Sequence, residues 1–206
     1  MLLLCALVAG STSVWAAPGD EIKSPTNVVS GKWYFLKGVY TYKSTNYTVY
    51  YGPTDDSKDF KVTTNAVSDI SDAMPVLFTY NSTETKWTLQ TPNGYYIRPH
   101  TSNGQSYLVE EVVYMALALG NTKEGTNKGI KIGPWTNSDT DYYMQCASNA
   151  AKIGSYKNTS YDLTLIEAPC PTISSVGWTT FSCTYALDFT GYSDANAYMV
   201  TSASGT

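Results

Sequence analysis

The chain has 206 residues, of which 43% are apolar, 15% are charged and 14% are aromatic. Its 13 Lys and Arg residues and 17 Asp and Glu residues give a formal net charge of −4. Because proteins that bind nucleic acid normally carry a basic surface, this charge argues against a nucleic-acid partner. The composition also excludes a collagen, a coiled coil and a wholly disordered chain, and the length predicts one domain or slightly more.

The first 17 residues predict a secretory signal peptide. Leu2–Gly10 is a short apolar run, and Val14-Trp15-Ala16-Ala17 ends in the small residues that precede a cleavage site. The run is shorter than the roughly 20 apolar residues that cross a bilayer, so no integral membrane span is expected. The alternative for this run is a strand of the core. We expect a secreted or cell-surface, extracellular protein, cleaved after Ala16 or Ala17.

The cysteines give a second indication about chemistry. Without the signal peptide three remain, Cys146, Cys170 and Cys183, so at least one thiol is free or pairs elsewhere. No Cys-x-x-Cys motif exists and His100 is the only histidine, so no zinc cluster and no cofactor are predicted. We expect the cysteines to behave as small buried apolar residues, with a Cys170–Cys183 disulfide as the alternative.

Residues 18–30 are predicted to be an N-terminal linker. From Gly31 onward the sequence predicts a series of short strands. Runs rich in Tyr, Val, Ile, Trp and Thr alternate with Gly, Asn, Asp, Ser and Pro. A single helical turn, with Ser68 as its cap, is the one departure, at Ala66–Ala73. The predicted strands are Lys32–Lys37, Tyr47–Tyr51, Val76–Tyr80, Lys86–Gln90, Tyr95–Arg98, Gln105–Glu110, Val112–Leu119, Gly129–Gly133, Tyr142–Cys146, Ala151–Tyr156 and Tyr161–Glu167.

A doubled aromatic followed by apolar residues recurs along this series and indicates an internal repeat. Second and third strands follow each copy, and a fourth strand runs into the next copy. Three repeats of four short strands is the pattern of a β-trefoil, which we predict over residues 31–168. The three copies are Trp33-Tyr34-Phe35-Leu36, Tyr95-Tyr96-Ile97 and Tyr142-Tyr143-Met144.

This strand rhythm resembles the β-trefoil of ricin-type lectins and related bacterial secreted or surface modules, over about two thirds of the chain. Those lectins carry Gln-x-Trp near the end of each repeat. Here the first repeat has Thr85-Lys86-Trp87, which keeps the Trp and lacks the Gln, and the second has Ile130 or Ile132 in the Trp place. Other apolar residues can fill such core positions, so the resemblance still implies the fold.

The segment from Pro169 differs from the body of the chain. Pro169-Cys170-Pro171 interrupts the strand series, because proline lacks an N–H and restricts the residue before it. The strand-like stretches at 172–181, 185–189 and 197–202 resemble the start of a β-sandwich-type module. About 35 residues are too few to bury a core. We therefore expect residues 169–206 to be the truncated start of a second β module, and further domains in a longer chain.

No set of residues predicts catalysis. His100 follows Pro99 in a polar loop, where a histidine is usually solvated, and no Gly-x-Ser-x-Gly motif is present. Paired acids such as Asp55-Asp56 and Asp139-x-Asp141 lie in turn-like segments, where Asp has an ordinary turn role. Adjacent residues of a regular strand face opposite ways, so Glu110 and Glu111 cannot form one site. We expect a protein that is not an enzyme and binds no metal.

The remaining signal is a set of aromatic residues with polar neighbours in loops, as in sites that stack a sugar ring on an aromatic face. Trp135, Asn137 and Asp139 follow Gly133-Pro134 in such a loop. Tyr107 and Glu110 stand where a lectin repeat, by the resemblance, often holds the sugar with an acid. The alternatives are that Trp135 packs in the core or closes the end of a strand and that Tyr107 packs in the core.

The sequence therefore predicts a non-enzymatic module that binds carbohydrate or glycoprotein. One alternative is a structural or protein-interaction spacer without a sugar site, favoured by the missing Gln-x-Trp residues. Another is a trefoil protease inhibitor, which would present a protruding loop to its target. The polar stretch Asn121–Lys128 is long enough for that role.

Overall fold

The computed structural model describes residues 19–52, 61–63, 66–101, 104–137 and 140–171, with the backbone alone at 61–63, 136, 137 and 140. The predicted signal peptide, Cys183 and nearly all of the predicted second module lie outside these residues. In the part of the chain that is described, no helix is long and apolar enough to cross a membrane.

The described residues form an all-β structure without an α-helix. Two short 3-10 turns, Pro25–Asn27 and Ile70–Asp72, accompany the strands. The strands are β1 Glu21–Ile22, β2 Lys32–Tyr42, β3 Thr45–Tyr50, β4 Lys61–Thr63, β5 Val76–Asn81, β6 Lys86–Gln90, β7 Tyr96–Pro99, β8 Gln105–Val109, β9 Leu117–Thr122, β10 Gly125–Asn137, β11 Thr140–Cys146, β12 Ile153–Tyr156 and β13 Thr164–Ala168.

All these strands belong to one curled, half-barrel sheet. Its order is β1-β13-β2-β5-β6-β7-β8-β12-β11-β10-β9, with β3 paired to β2 and β4 paired to β8. Two isolated bridges, Trp87 with Met115 and Ile130 with Leu163, connect strands that are distant along this order. The sheet therefore curves until β10 meets the segment that leads into β13.

The inside of the curl is the main apolar core. Burying each large apolar side chain contributes about 1.5–3 kcal/mol, and both halves of the chain supply such residues. At Gly129 an added Cβ would lie 2.3 Å from Thr122 Cγ2 and 2.7 Å from the Leu163 carbonyl oxygen, so only glycine allows β10 and Leu163 to approach. The largest fully buried residues include Tyr34, Leu36, Phe78, Leu89, Ile97, Leu108, Met115, Ile130, Ile132, Met144 and Ile153.

Most predicted strands are present, but three local predictions are wrong. The supposed linker at 18–30 contains β1, which pairs with β13, and Val28 is buried in the core. Val112–Leu119 is not one buried strand, because Val112 is 48% exposed and regular pairing begins at Leu117. The turn predicted within Ala66–Ala73 exists, but its cap is Asp69, whose carboxylate accepts from the Ser71 N–H.

The described cysteines have two different environments. Cys146 is a free, buried thiol, and burial raises its pKa to about 12. Cys170 is disulfide-bonded, and its partner lies outside the described residues. The expectation of buried, apolar-like cysteines therefore fits Cys146 and not Cys170, while the Cys170–Cys183 pairing stays a prediction.

Candidate functional site

The candidate site centres on Arg98, which contacts two aromatic rings. Strands β7 and β8 pair in antiparallel fashion with Arg98 directly opposite Tyr107. The Arg98 Cζ atom is 4.8 Å from the Tyr107 ring centroid and 5.8 Å from that of Trp135. His100, Tyr107, Trp135 and Arg98 together are called the Arg98 cluster below.

A break in the β10–β11 register brings Trp135 to this position. The pairing shifts between Ile132 and Trp135, and Trp135 then lies opposite Tyr142. Gly133 has a φ of +136°, and a Cβ there would lie 2.9 Å from the Tyr142 carbonyl oxygen. Only glycine fits this bulge. The Tyr142 hydroxyl donates to the Thr101 carbonyl at 2.7 Å, which ties β11 to the end of β7.

His100 supports the cluster from the protein interior. Its ring centroid lies 4.4 Å from that of Tyr107, and the residue is 7% exposed. Its carbonyl oxygen accepts a 2.6 Å hydrogen bond from the buried Ser155 hydroxyl. The prediction of a solvated loop histidine is therefore wrong. The β7–β8 pairing carries His100 against β12, so the ring packs instead of reaching solvent.

The groups that contact the charged end of Arg98 within the described ranges are aromatic rings and not carboxylates. Among the described residues, no carboxylate lies within ion-pair distance of its guanidinium group. Its Nε atom is shielded from solvent and has no hydrogen-bond partner. A cation over an aromatic face gains about 0.5–1 kcal/mol at exposed sites and more when desolvated. The two rings therefore contact the guanidinium while its Nε donor stays without an acceptor.

The structure brings together two of the five predicted site residues. Tyr107 and Trp135 are both half-buried and both contact Arg98. Neither is fully buried, so neither simply fills the core. Glu110 is exposed just beyond the end of β8. The backbone of Asn137 pairs with Thr140, its side chain is not described, and Asp139 lies outside the described residues.

Sequence reasoning missed Arg98 and His100. Arg98 is the last residue of the predicted strand Tyr95–Arg98, and His100 follows Pro99 just beyond β7. Their relation to Tyr107 depends on the β7–β8 register, which no local pattern specifies. A signal was nevertheless available, because Arg98 is the only arginine in the chain.

Other predicted features do not form alternative sites. Asn121–Lys128 is not a long loop, because β9 and β10 connect through Lys123 and Glu124 alone. Within the described ranges, no group of three or more His, Cys, Asp or Glu side chains could hold a metal ion. Comparison of the chain with protein families, curated proteins and solved structures gives no match.

Proposed function

We propose that residues 31–168 form a three-repeat β-trefoil. Four kinds of pairing support this proposal, because each occurs once in every repeat. In each repeat the first strand pairs with the second, as β2 does with β3, β6 with β7 and β10 with β11. The second strand pairs with the third, as Tyr50 does with Val67, β7 with β8 and β11 with β12. First and fourth strands meet through β2–β5, Trp87–Met115 and Ile130–Leu163. Each fourth strand pairs with the next first strand through β5–β6, β9–β10 and β13–β2.

In the repeats defined by these pairings, the aromatic doublets do not all occupy the same strand. Tyr96 and Tyr143 lie in second strands, β7 and β11, whereas the Trp33-Tyr34 doublet lies in a first strand, β2. The matching position in the first repeat is Tyr50, which lies opposite Lys37 at the end of β3 as Tyr96 lies opposite Gln90 in β7. A doubled aromatic suits any strand with one buried and one half-buried face, so the motif recurs without marking equivalent positions.

We propose that this module binds carbohydrate or glycoprotein without catalysing a reaction, and that the Arg98 cluster is its site. The observation that carries the proposal is that Tyr107 and Trp135, both half-buried, converge on one arginine. A sugar site needs an aromatic surface for the apolar face of the ring and polar donors for its oxygens. The cluster offers both kinds of group within one patch.

The proposed location is extracellular, either secreted or at the cell surface. The disulfide at Cys170 supports it, because disulfides persist mainly in oxidising compartments. The apolar run near the N-terminus, followed by small residues, supports it independently.

A protein-interaction role is the second candidate, and one feature favours it. The β2–β3 hairpin ends in a two-residue turn with Lys43 and Ser44 at φ values of 47° and 65°. Beside this turn the Tyr40 and Tyr47 rings stack at 5.4 Å, while Tyr42 and Tyr47 are 51% and 43% exposed. Exposed tyrosines are favoured at protein interfaces.

A glycan array with the purified chain tests the proposed function. We expect binding that falls at least about tenfold in Trp135→Ala, since a stacking aromatic contributes a kcal/mol or more. Tyr47→Ala is the matched control, because it removes an aromatic ring at the distant hairpin. Circular dichroism shows whether each variant is folded.

Two results would contradict the proposal. A folded chain that binds no glycan would leave the protein-interaction role as the better explanation. Glycan binding that is lost in Tyr47→Ala and kept in Trp135→Ala would move the site to the β2–β3 hairpin.

A further inference from the structure

We infer that the Arg98 cluster selects sugars that carry a carboxylate, such as uronic or sialic acids. This inference rests on the proposed carbohydrate-binding function and names the ligand class of the same site. It depends on three features of Arg98: the rings that hold it, the state of its hydrogen-bond donors, and the absence of acids beside it in the described structure.

The first feature is that Arg98 contacts two rings. Several other cations of the described residues lie over an aromatic ring, for example Lys43 over Tyr42 and Lys131 over Tyr143, but each of these lies over one ring. Within the described part of the chain, Arg98 alone is placed over two rings, those of Tyr107 and Trp135. A planar guanidinium that already contacts two rings loses less further freedom when a ligand binds, which reduces the entropic cost of binding.

The second feature is the state of the guanidinium donors. The Nε atom is shielded and makes no hydrogen bond, so protein acceptors do not hold the group in place. Among the described residues, no acceptor engages the two terminal nitrogens either, and they are not counted among the buried unpartnered atoms. These terminal nitrogens form a planar fork that matches the two oxygens of a carboxylate.

The third feature is local charge. The described carboxylates that form ion pairs do so with lysines elsewhere, as in the pairs of Glu21 with Lys23 and of Glu167 with Lys32. None of them neutralises Arg98. Lys157 lies over the ring of Tyr142, the cross-strand partner of Trp135, and adds a second positive charge on this side of the sheet. The positive charges of Arg98 and Lys157 therefore favour an anionic ligand over a neutral one.

Matched pairs of acidic and neutral sugars test the inference by isothermal titration calorimetry on the purified chain. Sialyllactose is compared with lactose, and trigalacturonic acid is compared with its methyl ester. We expect the acidic member of at least one pair to bind about tenfold or more tightly, because charge-assisted bidentate bonds are roughly twice as strong as neutral ones. The pair that shows the preference identifies the source of the carboxylate.

Three variants locate the preference. Arg98→Met removes the charge and should make the two members of the pair bind equally. Arg98→Lys keeps the charge and loses the planar fork, so most of the preference should also disappear. Lys43→Met is the matched control, since it removes a cation over a ring at the distant hairpin, and it should bind like the unmodified chain.

The outcomes separate this inference from the proposed function. Equal binding of acidic and neutral sugars, abolished by Trp135→Ala, would overturn the carboxylate preference and leave the lectin-like function intact. A preference that survives both Arg98 variants would also overturn it. A folded chain that binds neither member of either pair, nor any glycan on the array, would overturn both.

Discussion

Two charged regions of the molecule handle their cations in opposite ways. In the Arg98 cluster, one cation contacts two rings with no carboxylate beside it in the described structure. In the second region, called the Lys37 cluster here and made of Glu21, Lys23, Lys37 and Glu124, every cation has an acid. Glu21 accepts from Lys37, and Lys23 lies 3.3 Å from both Glu21 and Glu124.

The difference shows why only one of these regions is a candidate site. The lysines of the Lys37 cluster already have carboxylate partners, so an anionic ligand would have to displace an acid of the protein. Arg98 has lost part of its hydration to the rings and has gained no acceptor from the described residues in return. Whether a region can bind an anionic ligand therefore depends on which of its cations lack a carboxylate partner, and not on how many charges it holds.

The largest change in the free energy of unfolding is expected at Asp162, a buried acid beside the Lys37 cluster. Its Oδ2 accepts from the Asn121 N–H at 2.7 Å and its Oδ1 accepts from Gln145 Nε2 at 2.8 Å. Asp162→Ala should lower the free energy of unfolding by about 2–4 kcal/mol, since it leaves buried donors without acceptors. Urea denaturation measures this.

The control for Asp162 is Glu111→Ala, which removes an exposed acid and should change stability by less than about 0.5 kcal/mol. If Asp162→Ala were as stable as this control, the hydrogen bonds of Asp162 would not hold β9 and β11 together as described.

Removing one cation from each region compares the two directly. Lys37→Met should lower the free energy of unfolding by about 1–2 kcal/mol, because Glu21 loses a hydrogen-bonded partner in a partly buried position. Arg98→Met should change it by less than about 1 kcal/mol, because lost ring contacts are offset by removal of the unpartnered Nε. Thermal melts of both variants measure the difference, and a larger loss for Arg98→Met would reverse the contrast.

The smallest effect is the pH dependence of the contribution that Glu21 makes to the free energy of unfolding. Burial acts to raise the pKa of Glu21, but the hydrogen bonds and charges of Lys37 and Lys23 outweigh it and hold the pKa below the ordinary 4.5. The stabilisation is therefore complete above the unfolded-state pKa and is lost as the pH falls through the lower folded-state pKa.

Glu21→Gln should consequently be less stable than the unmodified chain at neutral pH, by under about 1 kcal/mol, because the group is partly exposed. The two proteins should become equally stable in acid. Urea titrations at a series of pH values below neutrality measure this, and a difference that persists unchanged to low pH would show that Glu21 acts through packing and not through its charge.

The candidate site was predictable only in part, for reasons that particular residues make clear. Trp135 and Tyr107 stood out because aromatic residues beside loops are common in binding sites. Arg98 did not, because its role depends on the strand opposite it, and a shift of one residue in the β7–β8 register would turn it to the other face. His100 does follow strand β7, as the proline before it suggests, but its burial against Tyr107 depends on tertiary packing that no local pattern shows.

The sequence by itself determined the all-β character of the chain and the position of many strands, since Lys86–Gln90 coincides with β6 and Val76–Tyr80 lies within β5. These are local properties, set by side chains that suit a half-buried pleated surface and by turn residues between them. Only the tertiary structure decided that Glu21–Ile22 joins β13 and that Trp135 reaches Arg98. Both contacts join segments far apart in the chain, so they depend on strand register and on close approaches at glycines, which no local pattern encodes.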